Sequence, residues 1–433
     1  MNDPASALEA GPSRRAFLKA GPLLAATLAA PAAVTAPAAR AQAGAVQRWC
    51  ATWGTAPAGP PPAASLQTYT SQTLRLIVRA SIGGSRVRIR VSNEMGAVPL
   101  RIGHASIALR SSGAAINAAS LRELRFGGAA AITIPAGAPA LSDPVDLVIP
   151  HQADLAVSLY LPGSAQGGTL HNAALQTSYV SPAGDYTSTT SLPVARSFSS
   201  WPFLTEVDVD AGAPCLVALG DSITDGQGGS ANANNRWPDC LARRLQASLG
   251  AAGRIGVVNR GISANSLLGD FGTALLAGRD ALERFDRDVL ATAGVRYLVA
   301  LIGINDISYS PGSNPIPAAE LIAGYRQLIA RARARDVAIV GATLPPFEGF
   351  VYYTAAREGV RRAVNDWMRA GGEFDGLLDT DLALRNPASP ARILPAYDSG
   401  DHLHPNNAGH QAIANAVPLA PFVAGSAVRP ADV

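Results

Sequence analysis

Four short apolar runs, separated by amphipathic stretches, constrain the fold of the carboxy-terminal half of this 433-residue chain. The runs occupy residues 216–219, 255–258, 297–302 and 337–340. A strand that is apolar at every position is buried on both faces, which is typical of a parallel sheet covered by helices. Residues 317–335 repeat apolar side chains at helical spacing between the third and fourth runs. We therefore predict an α/β domain over residues 213–425.

The amino-terminal half has a different pattern. Residues 74–79 and 86–91 alternate apolar and polar side chains around Gly83-Gly84, which predicts a β-hairpin. Further short strand-like runs follow at the regular spacing of an all-β sandwich. Because the chain is too long for one ordinary domain, we predict a separate accessory β-sandwich, of jelly-roll type, over residues 45–205. The proline-rich segment 57–62 is interpreted as a linker.

Polar residues with catalytic potential follow the first three apolar runs. Ser222, Gly261 and Asn305 each come directly after one run. Ligands bind beyond the carboxyl ends of parallel strands, so one crevice can contain all three residues. Near the carboxy terminus, Asp401 lies three residues before His404, which is the spacing of neighbours on one helical turn. A hydroxyl, an imidazole and a carboxylate are the components of a serine hydrolase.

These residue types match the needs of acyl transfer. A serine hydroxyl needs an adjacent base to take its proton, and His404 can be that base. Asp401 can hold the imidazole in the correct tautomer and balance its developing charge. The attack also creates an oxyanion, which needs hydrogen-bond donors already aimed at it. A glycine such as Gly261 lets backbone approach a substrate closely.

Taken in chain order, these segments resemble the motifs of the SGNH, or GDSL, hydrolase family, and the resemblance covers residues 213–420. The segments are Gly220-Asp221-Ser222-Ile223, Asn259-Arg260-Gly261, Gly303-Ile304-Asn305-Asp306 and Asp401-His402-Leu403-His404-Pro405. The resemblance implies a flavodoxin-like, three-layer fold with a parallel sheet, and an acyl-enzyme formed on Ser222. It assigns the oxyanion hole to the backbone N–H groups of Ser222 and Gly261 and the side-chain amide of Asn305. It implies no cofactor and no metal.

A metal cluster is the competing interpretation of the carboxy-terminal motif. It would use Asp401, His402, His404 and His410. We favour the catalytic interpretation, because no cysteine is near and zinc catalysis would leave Ser222 unexplained. His402 occupies a position where the family pattern suggests a small residue, and this leaves open its influence on the base.

Several other polar residues are interpreted as structural. Asp221 and Asp225 are expected to form turns, because aspartate readily hydrogen-bonds nearby backbone. His104, His151 and His171 fall in the amino-terminal half and are interpreted as ordinary surface or core histidines.

The amino terminus predicts export. Residues 13–19 contain a twin-arginine pattern, followed by an Ala- and Leu-rich run and by Ala39-Arg40-Ala41 as a cleavage site. This arrangement looks like a Tat signal peptide over residues 1–41. A membrane anchor is disfavoured because prolines interrupt the run. We therefore expect a periplasmic or secreted protein without a stable membrane anchor.

Charge and cysteine content exclude other classes. The signal contains four of the 35 basic residues and two of the 32 acidic ones, so the mature chain is nearly neutral. Neither a nucleic-acid partner nor binding to anionic lipid is indicated. The three cysteines cannot all pair, and we expect buried free thiols.

The predicted function is an exported serine esterase. Its partner would be a small-molecule or glycan ester with a short acyl chain, an aryl alcohol or a carbohydrate alcohol. Aromatic residues within 347–353 are candidates for the groove wall. The alternatives are a lipase- or lysophospholipase-like acylhydrolase, an O-acyltransferase using the same triad, and a glycan-binding envelope protein with a silent hydrolase domain. The sequence carries no signal for an oligomeric state.

Overall fold

The computed structural model describes residues 49–269, 276–311 and 314–423. These residues belong to one compact unit. The predicted signal peptide, residues 1–41, lies outside the described residues. So do residues 45–48 and 424–425, the outer ends of the two predicted domains.

The amino-terminal part is built from antiparallel strands. These are β1 (Trp49–Gly54), β2 (Thr68–Arg79), β3 (Gly84–Ser92), β4 (Leu100–Ile102), β5 (His104–Ser112), β6 (Ala115–Ile116), β7 (Arg122–Leu124), β8 (Ile132–Ile134), β9 (Pro139–Leu141), β10 (Val145–Ile149), β11 (Asp154–Gln166), β12 (Leu170–His171), β13 (Ser178–Ala183), β14 (Arg196–Phe198), β15 (Trp201–Pro202) and β16 (Leu204–Asp210). One sheet has the order β1-β16-β3-β10, with β9 also on β3. A second sheet has the order β14-β13-β2-β11-β5-β6, with β7 also on β5, and β4 with β8 and β12 with β15 form two small two-stranded sheets. An amino-terminal β region is thus present, and its jelly-roll topology stays a prediction.

One local expectation for this part is wrong. Strands β2 and β3 do not form a hairpin, because β2 pairs with β11 and β13 whereas β3 pairs with β10 and β16. The connection between them is buried and crosses from one sheet to the other: Ala80 donates its N–H to Ala153 O (2.9 Å) and Ser81 donates its N–H to Thr52 O (2.8 Å). Within the segment interpreted as a linker, residues 57–62, Ala58 is buried in a cluster with Ile262, so this segment packs against the carboxy-terminal part.

The carboxy-terminal part alternates strands and helices, as predicted. Its elements are β17 (Cys215–Gly220), α1 (Ser222–Asp225), α2 (Trp237–Leu249), β18 (Gly256–Gly261), α3 (Ala281–Phe285), β19 (Val295–Leu301), α4 (Ile304–Ser308), α5 (Ala318–Arg333), β20 (Ala338–Ala342), α6 (Ala355–Gly371), β21 (Gly376–Leu378), α7 (Thr380–Leu384), β22 (Arg385–Asn386), β23 (Ser389–Ile393) and α8 (Asn407–Ala416). The four predicted apolar runs correspond to β17, β18, β19 and β20. The predicted helix over 317–335 is α5.

The parallel sheet has the strand order β18-β17-β19-β20-β21. In terms of its own strands this is 2-1-3-4-5, the flavodoxin-like order. Parallel crossovers are right-handed, so the reversal after β18 places helices on both faces of the sheet. Helix α2 packs against α8, whereas α5 packs against α3 and α6. The carboxyl ends of β17, β18 and β19 meet at one edge, where the polar motifs emerge.

The two parts of the chain share one hydrophobic core. Buried residues of β1, β3 and β16 belong to the same apolar cluster as those of the parallel sheet. A buried ion pair also joins the parts: Arg260 on β18 contacts Glu206 on β16 and donates to Thr205 O (3.0 Å). The cysteines at 50, 215 and 240 are buried free thiols. Within the described ranges, no helix is long and apolar enough to cross a membrane.

Candidate active site

Ser222 lies at the carboxyl end of the central strand. Strand β17 is buried along its whole length and ends at Gly220, where a Cβ would overlap the Thr224 side chain and Leu301 O. Asp221 then caps the next helix by accepting a hydrogen bond from the Ile223 N–H (3.0 Å). Ser222 is therefore the first residue of α1, with only 4% of its surface exposed. This strand-turn-helix connection fixes the hydroxyl at the sheet edge.

The structure brings the predicted base and its orienting carboxylate to this hydroxyl. His404 Nε2 lies 2.7 Å from Ser222 Oγ. On the other side of the ring, His404 Nδ1 lies 2.5 Å from Asp401 Oδ2, and the backbone N–H of His404 donates to Asp401 Oδ1 (2.9 Å). With Nδ1 donating to the carboxylate, Nε2 is left to accept the serine proton.

These contacts stabilise the ionised form of Asp401. Partial burial alone would raise the pKa of this carboxyl, but hydrogen bonds from the side chain and backbone of His404 and from the Leu403 N–H lower it well below its usual range. Asp401 therefore stays ionised and keeps the imidazole in one tautomer.

Asn305 is also at this edge of the sheet. It lies on α4, directly after β19, and is 3% exposed. Its side-chain amide donates one hydrogen bond to Asn265 O (2.8 Å). A primary amide has two N–H groups, so Asn305 can use one to fix its orientation and offer the other to a ligand.

The resemblance assigns the backbone N–H of Gly261 to the oxyanion hole, but the structure gives this N–H another partner. That N–H already donates to Asn259 Oδ1 (2.8 Å). A Cβ at this position would overlap the backbone of Thr224 and Asp225. The glycine is therefore required for close packing of β18 against α1, and its N–H has a partner within its own loop.

A turn over residues 262–265 supplies a different candidate donor. The N–H of Asn265 donates to Ile262 O (3.1 Å), and Ala264 has φ of 62°. A positive φ at the third residue is the signature of a type II turn, where glycine or asparagine is usual. The Ala264 N–H has no hydrogen-bond partner among the described residues. Sequence reasoning missed this residue because an alanine gives no signal for a positive φ.

A buried arginine on α3 connects the loops of the site. The Arg284 guanidinium donates to Gly220 O (2.9 Å), Arg260 O (2.8 Å) and Asn265 Oδ1 (3.0 Å). Asp288 balances its charge at 3.0 Å. Although burial raises the pKa of Asp288, the neighbouring arginines lower it to about 2. Arg284 therefore fixes the ends of β17 and β18 relative to the turn over 262–265.

Two further carboxyl groups are buried near the nucleophile. Desolvation raises the pKa of Asp221 to about 7 and that of Asp306 to about 6. Asp306 accepts hydrogen bonds from the N–H groups of Leu267 (2.8 Å) and Leu268 (2.9 Å). Both carboxyl groups order backbone around the site, which agrees with the structural role predicted for Asp221.

The other histidines near His404 have separate partners. His402 Nδ1 lies 2.7 Å from Asp398 Oδ2. His410 is fully buried beside Gln227 O, and burial lowers its pKa to about 4. Over the ranges that the structure describes, no group of three or more His, Cys, Asp or Glu side chains could hold a metal ion.

Aromatic side chains lie beside the loop that carries the base. Tyr352 is 42% exposed, and its ring centroid lies 5.1 Å from that of Tyr309, which follows α4. In the same segment, a Cβ on Gly349 would lie 2.9 Å from the His402 ring. The predicted aromatic segment 347–353 is therefore in contact with the loop that carries His404, whereas Phe347 itself is buried.

The fold and these side chains agree with one family. Residues 218–412 match the model of the GDSL-like lipase/acylhydrolase family. The chain carries a GDSL hydrolase domain. The matched range contains Ser222, Asn305, Asp401 and His404.

Three solved structures illustrate what the GDSL domain is similar to. A lipolytic protein of the G-D-S-L family from Desulfitobacterium hafniense is 20% identical, covering 47% of this chain and 96% of its own. An α/β hydrolase from the metagenome of Lake Arreo, Spain, is 27% identical, with 49% and 95% covered. An acetylxylan esterase from Geobacillus stearothermophilus is 24% identical, with 48% and 94% covered. The TM-score is 0.36 in each case. No curated protein matches the sequence.

Proposed function

We propose that this GDSL hydrolase is a serine esterase that cleaves carboxylic esters through an acyl-enzyme on Ser222. The observation that carries the proposal is the hydrogen-bonded chain from Ser222 Oγ to His404 Nε2 and from His404 Nδ1 to Asp401. A buried hydroxyl in contact with a correctly oriented imidazole is the arrangement that nucleophilic catalysis needs.

The first half-reaction acylates the serine. Ser222 Oγ attacks the ester carbonyl carbon while its proton moves to His404 Nε2. The tetrahedral intermediate collapses as the C–O bond to the alcohol breaks, and Nε2 returns the proton to the leaving oxygen. Asp401 compensates the positive charge on the ring during this step.

The second half-reaction releases the acid. A water molecule gives its proton to His404 Nε2 and attacks the acyl carbon. The bond to Ser222 Oγ then breaks, and the serine recovers the proton from Nε2. We assign the stabilisation of both oxyanions to the N–H groups of Ser222 and Ala264 and to the free amide hydrogen of Asn305. Each donor is worth about 3 kcal/mol of barrier.

The burial of the reacting groups supports a short acyl chain. Ser222 and His404 are 4% and 6% exposed, so both reacting groups are buried, which favours a small acyl group. We therefore propose acetyl and similar esters as substrates, in preference to long-chain lipids.

The test is hydrolysis of a series of p-nitrophenyl esters, from acetate to decanoate, by the wild type and Ser222→Ala. The exposed Ser164→Ala is the matched control. We expect a short-chain optimum, a loss of about 10³- to 10⁶-fold in kcat for Ser222→Ala, and no change for Ser164→Ala. A fluorophosphonate should label the Ser222 peptide in the wild type. Equal activity of wild type and Ser222→Ala would remove Ser222 from the mechanism, and a decanoate optimum would favour the lipase-like alternative.

We also propose that residues 1–41 direct folded export through the Tat route. The supporting observation is the pair Arg14-Arg15 ahead of the Ala- and Leu-rich run. In cell fractionation, the Arg14→Lys/Arg15→Lys variant should stay in the cytoplasm while the wild type is exported. Export of both proteins would contradict the proposal.

A further inference from the structure

Asp225 joins the nucleophile helix to the turn over residues 262–265. It is the last residue of α1 and is 3% exposed. Its Oδ2 accepts two hydrogen bonds from Ser263, one from the backbone N–H (3.0 Å) and one from the hydroxyl (2.8 Å). Asp225 therefore restrains Ser263, the residue whose carbonyl carbon is bonded to the Ala264 nitrogen.

The other oxygen of Asp225 faces a histidine from the amino-terminal β region. Asp225 Oδ1 lies 3.0 Å from Nε2 of His171, which is on β12. The opposite ring nitrogen, Nδ1, lies 2.9 Å from Ala56 O, and the ring stacks on Trp201 with centroids 5.6 Å apart. His171 is 3% exposed, so these contacts are shielded from solvent.

The hydrogen-bond partners of His171 determine where its protons lie. Ala56 O can only accept, so Nδ1 carries a hydrogen. Asp225 Oδ1 and Nε2 would repel each other through their lone pairs unless a second proton lay between them. His171 and Asp225 are therefore joined by a proton, and the ring is held from both sides.

The same segment of the β region also contacts the turn directly. Ala56 and Ala58 form a small buried cluster with Ile262, the first residue of the turn. Ala56 O accepts the hydrogen bond from His171. The residue that carries it therefore packs against the same turn that His171 supports through Asp225. Two independent contacts connect the β region to the 262–265 turn.

We propose that His171 is a positioning residue for ester hydrolysis, acting through Asp225 and Ser263 on the Ala264 N–H. This inference rests on the proposed function. It gives the amino-terminal β region a part in catalysis, because that region supplies one of the side chains that hold the turn in place.

The test compares two substitutions of His171 with a matched control. His171→Phe keeps a ring that can stack on Trp201 but removes both ring nitrogens, whereas His171→Gln keeps a donor for Asp225. The control is His104→Phe, since His104 pairs with Asp185 in the same β region and is about half exposed. The measurements are kcat and KM for p-nitrophenyl acetate, per active site titrated with fluorophosphonate, together with the melting temperature.

We expect kcat of His171→Phe to fall about 100-fold with KM little changed, as for a small misplacement of a reacting group. His171→Gln should recover at least a tenth of the wild-type kcat, and His104→Phe should match the wild type. Full kcat per titrated site in His171→Phe, with only the melting temperature lowered, would overturn the inference.

Ser263→Ala provides a second route if His171→Phe does not fold. It removes one of the two hydrogen bonds to Asp225 and should lower kcat in the same direction. Because residues that act as a unit are non-additive, His171→Gln/Ser263→Ala should lose no more than the product of the single losses. A kcat unchanged in both single variants would also overturn the inference. The proposed function fails separately, if Ser222→Ala stays active.

Discussion

The catalytic loop contains two Asp–His pairs that differ in what the imidazole can reach. His404 and Asp401 are joined at 2.5 Å, and the far nitrogen of His404 faces Ser222. His402 and Asp398 are joined at 2.7 Å, but the His402 side chain is about half exposed. At the scale of single residues, contact with the hydroxyl distinguishes a general base from a histidine that shapes the loop.

This difference predicts the effect of removing each carboxylate. Asp401→Asn should lower kcat about 10⁴-fold, because an amide N–H facing Nδ1 favours the tautomer that cannot accept the serine proton. Asp398→Asn keeps an oxygen for the backbone N–H groups of Gly400 and His402 and should leave kcat in the same order of magnitude. Kinetics with p-nitrophenyl acetate measure both, and equal losses would contradict the assignment.

Asp221 gives a prediction for the pH dependence of stability. Its pKa is raised to about 7 by burial, against about 4 in an unfolded chain. The folded state therefore binds this proton more tightly, so the group's contribution to stability is greatest below pH 4 and is lost as the pH rises to about 7. Asp221→Asn keeps the oxygen that caps Ile223 and removes the titration. Its free energy of unfolding, relative to the wild type in urea, should increase from pH 5 to pH 8. A constant difference would contradict the raised pKa.

The sequence predicts the residues that act through short-range motifs. Four residues each lie in a short segment whose sequence pattern indicates their chemical role: Ser222, Asn305, Asp401 and His404. The contact between His171 and Asp225 has no such signal, since it joins a strand residue to a helix residue 54 positions away. Gly261 is at the predicted edge for a different reason, because packing against α1 and not hydrogen bonding requires the glycine.

At the scale of elements, the turn over residues 262–265 is the least predictable part of the site. Its shape depends on a positive φ at Ala264 and on support from Asp225, Arg284 and Ala56, which come from three other parts of the chain. The parallel strands were predictable because each is apolar throughout. The hairpin prediction failed because β2 and β3 have their partners in different sheets, and local alternation does not indicate which strand pairs with which.

The positive φ in this turn predicts different effects for two substitutions of Ala264. Ala264→Gly keeps the N–H and tolerates φ of 62°, so kcat should stay near that of the wild type. Ala264→Val places a β-branched residue in a strained conformation and should lower kcat by tenfold or more, with a stability cost of about 1–3 kcal/mol.

The control for this pair is Asp336→Val, an exposed position with φ of 53° that follows α5. It should lose comparable stability in urea unfolding while keeping kcat. Normal kcat in Ala264→Val would exclude the turn from oxyanion stabilisation.

At the scale of the whole molecule, the β region and the GDSL domain form one compact unit. The ion pair between Glu206 and Arg260 is buried where the two meet. Removing one partner of such a pair leaves an uncompensated buried charge. The division into an accessory domain over 45–205 and a catalytic domain over 213–425 stays a prediction, and buried residues of both parts belong to one hydrophobic core.

Glu206→Gln should consequently destabilise the whole chain by about 3–5 kcal/mol, in a single unfolding transition in urea monitored by both circular dichroism and tryptophan fluorescence. The control is Asp146→Asn, which breaks the surface pair with Arg86, where the Asp146 side chain is 92% exposed. That change should cost between about 0 and 1 kcal/mol. Two separate transitions, or equal costs, would show that the parts are independent.

The pairing of β1 with β16 has a kinetic consequence. Trp49 on β1 is opposite Asp210 on β16. The first described strand of the chain therefore cannot pair until the last strand of the β region is available. Closing a loop of this length delays folding, because the entropy loss precedes the gain from contacts. During synthesis, β1 will have left the ribosome long before its partner, and its unpaired edge will need protection from other chains until residue 210 has emerged.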